Sequence, residues 1–342
     1  MKPIRIAVVG LGYWGPNLVR VLHELPEAEI AWACDVDRSK LKSIHRRYPA
    51  IRRTSQLSRV LNDRAVDAVA FATPVSTHYE LASAALEAGK HVFVEKPLAA
   101  SFAQASQLVT LAAERDLVLM PGHTFLYSPP VNLIRDLIRS GDLGSIYFIS
   151  TSRVNLGIHQ SDVSVTWDLG PHDFSILRYW LGEIPVRVSA TSRGCVFPET
   201  PDVAFINLQF DSNTLAHVEL SWLAPSKLRR TAIVGSEKMV LYDDTSSEPV
   251  RIFDSGVMLP EPQTYGEYRL TYRTGDIVSP RIEVSEPLLL QMRDFAAAIR
   301  TGHEPRSSPE LGMDVVRTIE AVDRSLATDG SPIYLNERAP VG

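Results

Sequence analysis

The sequence predicts an α/β chain in two parts. A doubly wound parallel sheet is expected over residues 1–122, and an α+β domain with an open, largely antiparallel sheet over 123–342. Three observations carry this. Short apolar runs alternate with helical periodicity through the first part. Near residue 123 that pattern gives way to a series of period-2 segments. A glycine-rich turn, Gly10-Leu11-Gly12-Tyr13-Trp14-Gly15, directly follows the first apolar run. Strands that alternate with helices form parallel sheets covered on both faces, whereas hairpin-linked strands form antiparallel ones.

In the first part, 4–9 reads as a buried strand, 17–25 as a helix, 29–34 as a strand ending at Asp35, and 38–48 as a helix. An apolar run at 66–72 leads into Thr73-Pro74, and the helix 78–88 is closed by Gly89. A strand at 91–94 leads into Glu95-Lys96-Pro97. A helix at 102–115 and a short strand at 118–120 follow. In the second part, 133–140 is helical, 146–154 a strand and 173–181 a helix. Strands are expected at 186–194, 203–210, 214–222, 230–234, 239–242 and 250–253. The alternation is plain in Val203-Ala204-Phe205-Ile206-Asn207-Leu208-Gln209-Phe210. Residues 255–285, rich in Pro, Gly, Tyr and charge, read as irregular, and helices at 288–301 and 312–327 close the chain.

With 342 residues, 45% of them hydrophobic, the chain can bury two cores. Its net charge of -5 offers no field for a polyanion, so no nucleic-acid partner is expected. The basic pairs Arg46-Arg47 and Arg52-Arg53 read as a solvated face. Cys34 and Cys195 lie far apart and outside any ligand spacing, so neither a disulfide nor a metal site is expected. No run approaches the ~18 apolar residues of a membrane helix, and no leader is read; a cytoplasmic protein without a membrane partner is expected.

The chemistry concentrates at the carboxyl ends of the first-part strands, where such sheets bind ligands. Gly10, Gly12 and Gly15 provide a tight turn, a close approach of backbone to pyrophosphate and close helix–strand packing. Tyr13 and Trp14 belong to the same turn. Asp35, twenty residues past Gly15, stands where a carboxylate accepts ribose hydroxyls and repels a 2′-phosphate. The expected cofactor is therefore NAD on a Rossmann domain, with Arg38 leaving NADP as the lesser alternative. Thr73, Pro74 and His78 follow the third run, either beside the dinucleotide or as a simple strand-to-helix turn capped by Thr77. Glu95 and Lys96 end the fourth run. A lysine there can stabilise an alkoxide, although on its own it reads rather as an exposed loop residue.

A second constellation is Trp167-Asp168-Leu169-Gly170-Pro171-His172-Asp173. On a helix Asp168 and His172 share one face, and a carboxylate beside an imidazole makes a general base near neutrality. The alternative is a capped helix start with a satisfied histidine. His123, Arg153 and Asn155 are candidates to line the substrate cleft, as are His159, Gln160 and Asp162, with packing or surface roles equally open to each.

The glycine turn, Ala72-Thr73-Pro74, Glu95-Lys96-Pro97 and Asp168-x-x-x-His172 occur in that order over nearly the whole chain. In this the sequence resembles the Gfo/Idh/MocA oxidoreductases. The resemblance implies hydride transfer between a nicotinamide cofactor and a secondary alcohol of a sugar. His172 would take the hydroxyl proton, Asp168 would orient it, and Lys96 would hold the substrate oxygen. From their places at strand ends and beside the Asp168 pair, Trp167, His123, Arg153 and Asn155 are the expected substrate contacts. The segments around Gly122-His123-Thr124-Phe125, Trp167–Asp173 and Gly275-Asp276-Ile277-Val278-Ser279-Pro280 look most like a sugar or nucleotide-sugar 3-dehydrogenase branch, which points to C3 and to a UDP-sugar. The alternatives are an inositol or aldose dehydrogenase, a ketosugar reductase, or an NAD-dependent glycoside hydrolase. The family's open sheet implies a homodimer or homotetramer. The Gly170-Pro171 pair departs from many relatives.

Overall fold

The computed structural model describes residues 2–157, 163–258 and 271–335. The chain forms two compact units, Met1–Ser128 with Ser285–Arg317, and Pro129–Val284 with Thr318–Gly342.

The first unit begins with β1 (Ile4–Val9), α1 (Gly15–Glu24), β2 (Ala28–Cys34), α2 (Arg38–Arg47), β3 (Arg52–Thr54) and α3 (Leu57–Leu61). It continues with β4 (Ala68–Phe71), α4 (His78–Glu87), β5 (His91–Glu95), α5 (Phe102–Glu114) and β6 (Leu119–Gly122). The six strands are parallel, in the order β3-β2-β1-β4-β5-β6. The chain reverses direction across the sheet between β1 and β4, which opens a crevice at their carboxyl ends. Ile6, Ala7 and Val8 of β1 and Ala68–Phe71 of β4 are fully buried, as strands packed on both faces must be.

The second unit contains α6 (Pro129–Arg139), β7 (Ile146–Leu156), α7 (Val165–Leu181), β8 (Pro185–Arg193), β9 (Val203–Phe210) and β10 (Leu215–Ser221). After these come β11 (Leu223–Gly235), β12 (Met239–Asp243), β13 (Val250–Met258) and β14 (Thr271–Val278). Helices α8 (Pro287–Thr301) and α9 (Pro309–Leu326) and the short β15 (Ile333–Tyr334) end the described chain. The nine-stranded sheet runs β14-β13-β12-β11-β7-β10-β9-β8-β15. It is antiparallel except where β10 lies parallel to β7. Ala204, Ile206 and Leu208 of β9 and Ala216, Val218 and Leu220 of β10 are buried, alternating with residues on the opposite face.

Four expectations are corrected. The division at 122/123 moves to 128/129, and 285–317 rejoins the first unit. The cause is polar and aromatic contact: Thr124 Oγ1 donates to Gln291 Oε1 at 2.8 Å and Tyr127 to Asp294 at 2.6 Å. Ser307 donates to the Pro121 carbonyl at 2.7 Å, and Phe295 packs edge-on to Phe93. Second, β3 and α3 lie between the expected helix at 38–48 and the apolar run at 66–72. Third, β14 occupies part of the stretch read as irregular; it pairs with β13 alone, so Tyr272 and residues 274–278 are exposed and carry no burial alternation. Fourth, α7 begins at Val165 rather than 173. Pro171 removes a single N–H from the ladder. Gly170 is a packing requirement, since a Cβ there would lie 2.9 Å from Phe174 Cε2.

Candidate active site

In the first unit the glycine turn is built for close approach. Gly10 sits at φ +87°, and a Cβ on it would lie 2.5 Å from the Ala72 carbonyl oxygen. A Cβ on Gly15 would overlap the Gly10 carbonyl. A Cβ on Gly12 would meet nothing, so this side of the turn is open. Trp14 caps α1 without lending its side chain to the first turn, which leaves that N-terminus able to receive an anion. Tyr13 and Trp14 are exposed and meet edge to face. Asp35 accepts the Leu11 N–H at 2.6 Å and the Asp37 N–H at 2.7 Å. A carboxylate offers about four lone-pair sites, so acceptor capacity remains for ribose hydroxyls. An open glycine, an uncapped helix start and a fixed carboxylate fit a dinucleotide.

The loops after β4 and β5 are tied together by His78. Its Nδ1 lies 2.8 Å from the Pro97 carbonyl oxygen and its Nε2 2.9 Å from that of Thr73. Burial depresses the imidazole, and the two carbonyls oppose this. The expected dinucleotide contact of His78 is thus replaced by a joining role: both ring nitrogens face backbone carbonyls, and a neutral ring donates its one N–H to either of them. Thr77 donates its hydroxyl to the Pro74 carbonyl at 2.7 Å and lies 2.9 Å from Thr73 Oγ1, whose hydroxyl it can accept, which closes the Thr73-Pro74 turn.

Lys96 is half-buried at the end of β5. Burial pushes the Glu95 carboxyl up to about 7, against the charge and backbone N–H of Lys96. Gly122 lies beside Glu95 in the β5–β6 pairing, and a Cβ there would come within 2.9 Å of Glu95 Oε2. His123 is wholly buried and has no hydrogen-bond partner at either ring nitrogen among the described residues. Burial, then the Lys96 ammonium, push it down to about 3. The expectation that His123 lines an open cleft is therefore corrected to a buried, neutral ring.

In the second unit α7 presents Asp168 and His172 four residues apart, both half-buried. The indole N–H of Trp222 donates to Asp168 Oδ2 at 3.1 Å. Asp173 is buried against β7, where it accepts from Arg153 Nε at 2.6 Å and from Thr151 Oγ1 at 2.9 Å. The expected substrate grip of Arg153 is thus corrected: its guanidinium is buried and committed to Asp173. Asn155 is half-buried two residues further along β7. Trp167 is half-buried and donates its N–H to Asp323 at 2.7 Å. His159, Gln160 and Asp162 lie outside the described residues. Trp222 and Asp173 were not among the expected site residues. Trp222 continues the buried row Ala216, Val218, Leu220, which was the available signal.

A family model described as "Oxidoreductase family, NAD-binding Rossmann fold" matches residues 4–123, and the "GFO/IDH/MocA C-terminal domain" matches 131–241. The chain is 29% identical to a 4-carboxy-2-hydroxymuconate-6-semialdehyde dehydrogenase of Sphingobium sp., over 96% of this chain and 100% of that one. It is 26% identical to an NAD+-dependent scyllo-inositol 2-dehydrogenase of Bacillus subtilis, over 99% and 98%. Among solved structures it is similar to GenD2 from gentamicin A biosynthesis in complex with NAD, with a TM-score of 0.83, 25% identity and coverage of 98% and 97%. The first unit is an NAD-binding Rossmann domain, and the chain belongs to the Gfo/Idh/MocA oxidoreductase family.

Proposed function

We propose that the chain is an NAD-dependent dehydrogenase acting on a secondary alcohol of a sugar or UDP-sugar, at C3. The observation that carries this reading is the Asp168–His172 pair on α7, its carboxylate held by Trp222. The dinucleotide cradle and Lys96 belong to the first unit. When bound, NAD supplies the two-electron acceptor at its nicotinamide ring. His172 accepts the hydroxyl proton, and Asp168 stabilises the imidazolium that results. Lys96 donates a hydrogen bond to the same substrate oxygen and stabilises negative charge there. The Gly12 turn and the start of α1 hold pyrophosphate, and Asp35 holds the ribose hydroxyls and disfavours NADP. Trp167 and Asn155 supply contacts to the substrate ring.

The inositol dehydrogenase relative favours a cyclitol as the second reading. The exposed Phe148, Phe205 and Leu215 on one face of the second sheet support a homodimer or homotetramer.

The test is NADH absorbance with NAD against a panel of UDP-sugars, free aldoses and inositols. One class is expected to give stoichiometric NADH. Lys96→Ala and His172→Ala should each lower kcat by about 10²–10⁴-fold while NAD binding, read by calorimetry, persists. Glycoside cleavage without net NADH would replace the dehydrogenase by the hydrolase, and no cofactor change with any member would reject the proposal.

A further inference from the structure

Trp222 ends the buried row of β10 and is 1% exposed. Its backbone is fixed at both ends, the N–H donating to the Asp202 carbonyl at 2.9 Å and the carbonyl accepting from Gly157 at 2.9 Å. Its ring lies in a slot closed by Gly157, where a Cβ would come within 2.7 Å of Cδ1. The indole N–H therefore has little freedom, and it points at Asp168 Oδ2.

Helix α7 is locked independently. One residue beyond His172, Asp173 is clamped to β7 by Arg153 and Thr151, and Thr231 donates to Thr151 at 3.0 Å behind them. If the indole N–H is removed, the helix stays and the carboxylate is what changes. Among the described residues, α7 itself carries Arg178, and Asp202, whose carbonyl accepts the Trp222 N–H, takes the Cys195 and Val196 N–H groups on its carboxylate. The sheet contributes Arg153, neutralised by Asp173, and on β11 and just beyond β12, Arg229 paired with Asp244 at 3.1 Å. The inner rows of β9 and β10 are apolar. From α6, Arg135 stacks on Tyr179; from α9, Asp323 accepts from Trp167, with Glu320 beside it.

From this arrangement we propose that Trp222 is a positioning residue: its N–H holds the Asp168 carboxylate, tempers the negative charge offered to His172, and so sets the proton affinity of that imidazole. A carboxylate that gives one oxygen to a neutral donor offers less charge to its other neighbour. Losing the N–H should strengthen the Asp168–imidazolium attraction and raise the His172 titration midpoint. The place of Trp222 in a reaction rests on the dehydrogenase reading above, but its measurement does not require turnover.

The experiment is an NMR titration of the full chain, with the His172 ring signal identified by its loss in His172→Gln. Wild type is compared with Trp222→Phe and with a chain carrying benzothienylalanine at 222, which keeps the ring shape and replaces N–H by sulfur. Both variants are expected to raise the midpoint by about half a pH unit, roughly threefold in proton affinity. An unchanged or lowered midpoint in the folded variants overturns the proposal; should Trp222→Phe fail to fold, the isosteric chain decides. In turnover, the acid limb of kcat against pH should move the same way, with KM for NAD unchanged. A merely structural role would lower kcat at every pH and leave the limb in place. A shifted midpoint in a protein that oxidises no member of the substrate panel would reject the dehydrogenase reading and leave the positioning of His172 standing.

Discussion

At Glu95 burial outweighs an adjacent cation. Lys96 follows it in sequence, yet the carboxyl is raised from 4.5 to about 7. A raised acid means that the folded chain keeps a proton the unfolded chain gives up. Stability therefore falls as pH rises from about 4.5 through about 7, then levels off. His123 acts in the opposite sense. Its ring is depressed from 6.5 to about 3, so the unfolded chain gains a proton that the folded one refuses, and stability is lost as pH falls from about 6.5 towards 3. Between those limits the two slopes oppose each other. Glu95→Gln removes one of them. It should stabilise the chain at about pH 8 by on the order of 3 kcal/mol and leave stability at about pH 4 unchanged, as read by urea denaturation. A gain of equal size at both pH values would mean that the carboxyl is not held neutral by burial.

Helix α7 shows how one element converts packing into chemistry. Its buried side meets β7 through the Arg153–Asp173 pair, and the same turn carries His172. Breaking a buried pair strands a charge. Asp173→Leu should cost about 3–5 kcal/mol in denaturant unfolding, and adding Arg153→Met should recover most of that, since the stranded guanidinium goes with it. Failure of the second substitution to rescue would show that the pair is not what fixes the helix. This element also marks what the sequence could reveal. The Asp168–His172 spacing was legible because i, i+4 neighbours share a helix face whatever the tertiary context. The start at Val165 was not, because Gly170 and Pro171 carry the composition of a breaker while serving as packing and as a tolerated ladder gap. The Rossmann half was legible from local rules, since each buried strand, glycine turn and terminal acid lies within one αβ step. The roles of Arg153, His78 and Trp222 were not: their partners Asp173, Pro97, Thr73 and Asp168 lie in other elements, and no local periodicity encodes those pairings. Three-residue β3 and edge strand β14 bury too little to leave a pattern.

At the scale of the whole molecule, the second sheet has one face it cannot cover by itself. Leu215 pairs with Phe148, and Glu219 with Phe205, so these side chains stand on the face opposite to Ala216, Val218 and Leu220. Phe148, Phe205 and Leu215 are 45%, 43% and 53% exposed, while four polar residues of that face form two pairs, Ser152 with Glu219 and His217 with Asn207. Satisfied polar groups cost little to cover. Each large apolar side chain fully removed from water contributes about 1.5–3 kcal/mol, a limit that half-exposed ones approach only in part. A second copy laid on this face would bury the same residues twice, since a two-fold contact uses one patch on both partners. Sedimentation at micromolar concentration should therefore find a dimer or tetramer. Phe205→Glu with Leu215→Glu should shift it to monomer by placing like charges in the contact, with far-UV circular dichroism and NAD affinity unchanged because neither side chain reaches the buried row. A wild-type chain that sediments as a monomer at that concentration would leave the apolar face without a partner of its own kind.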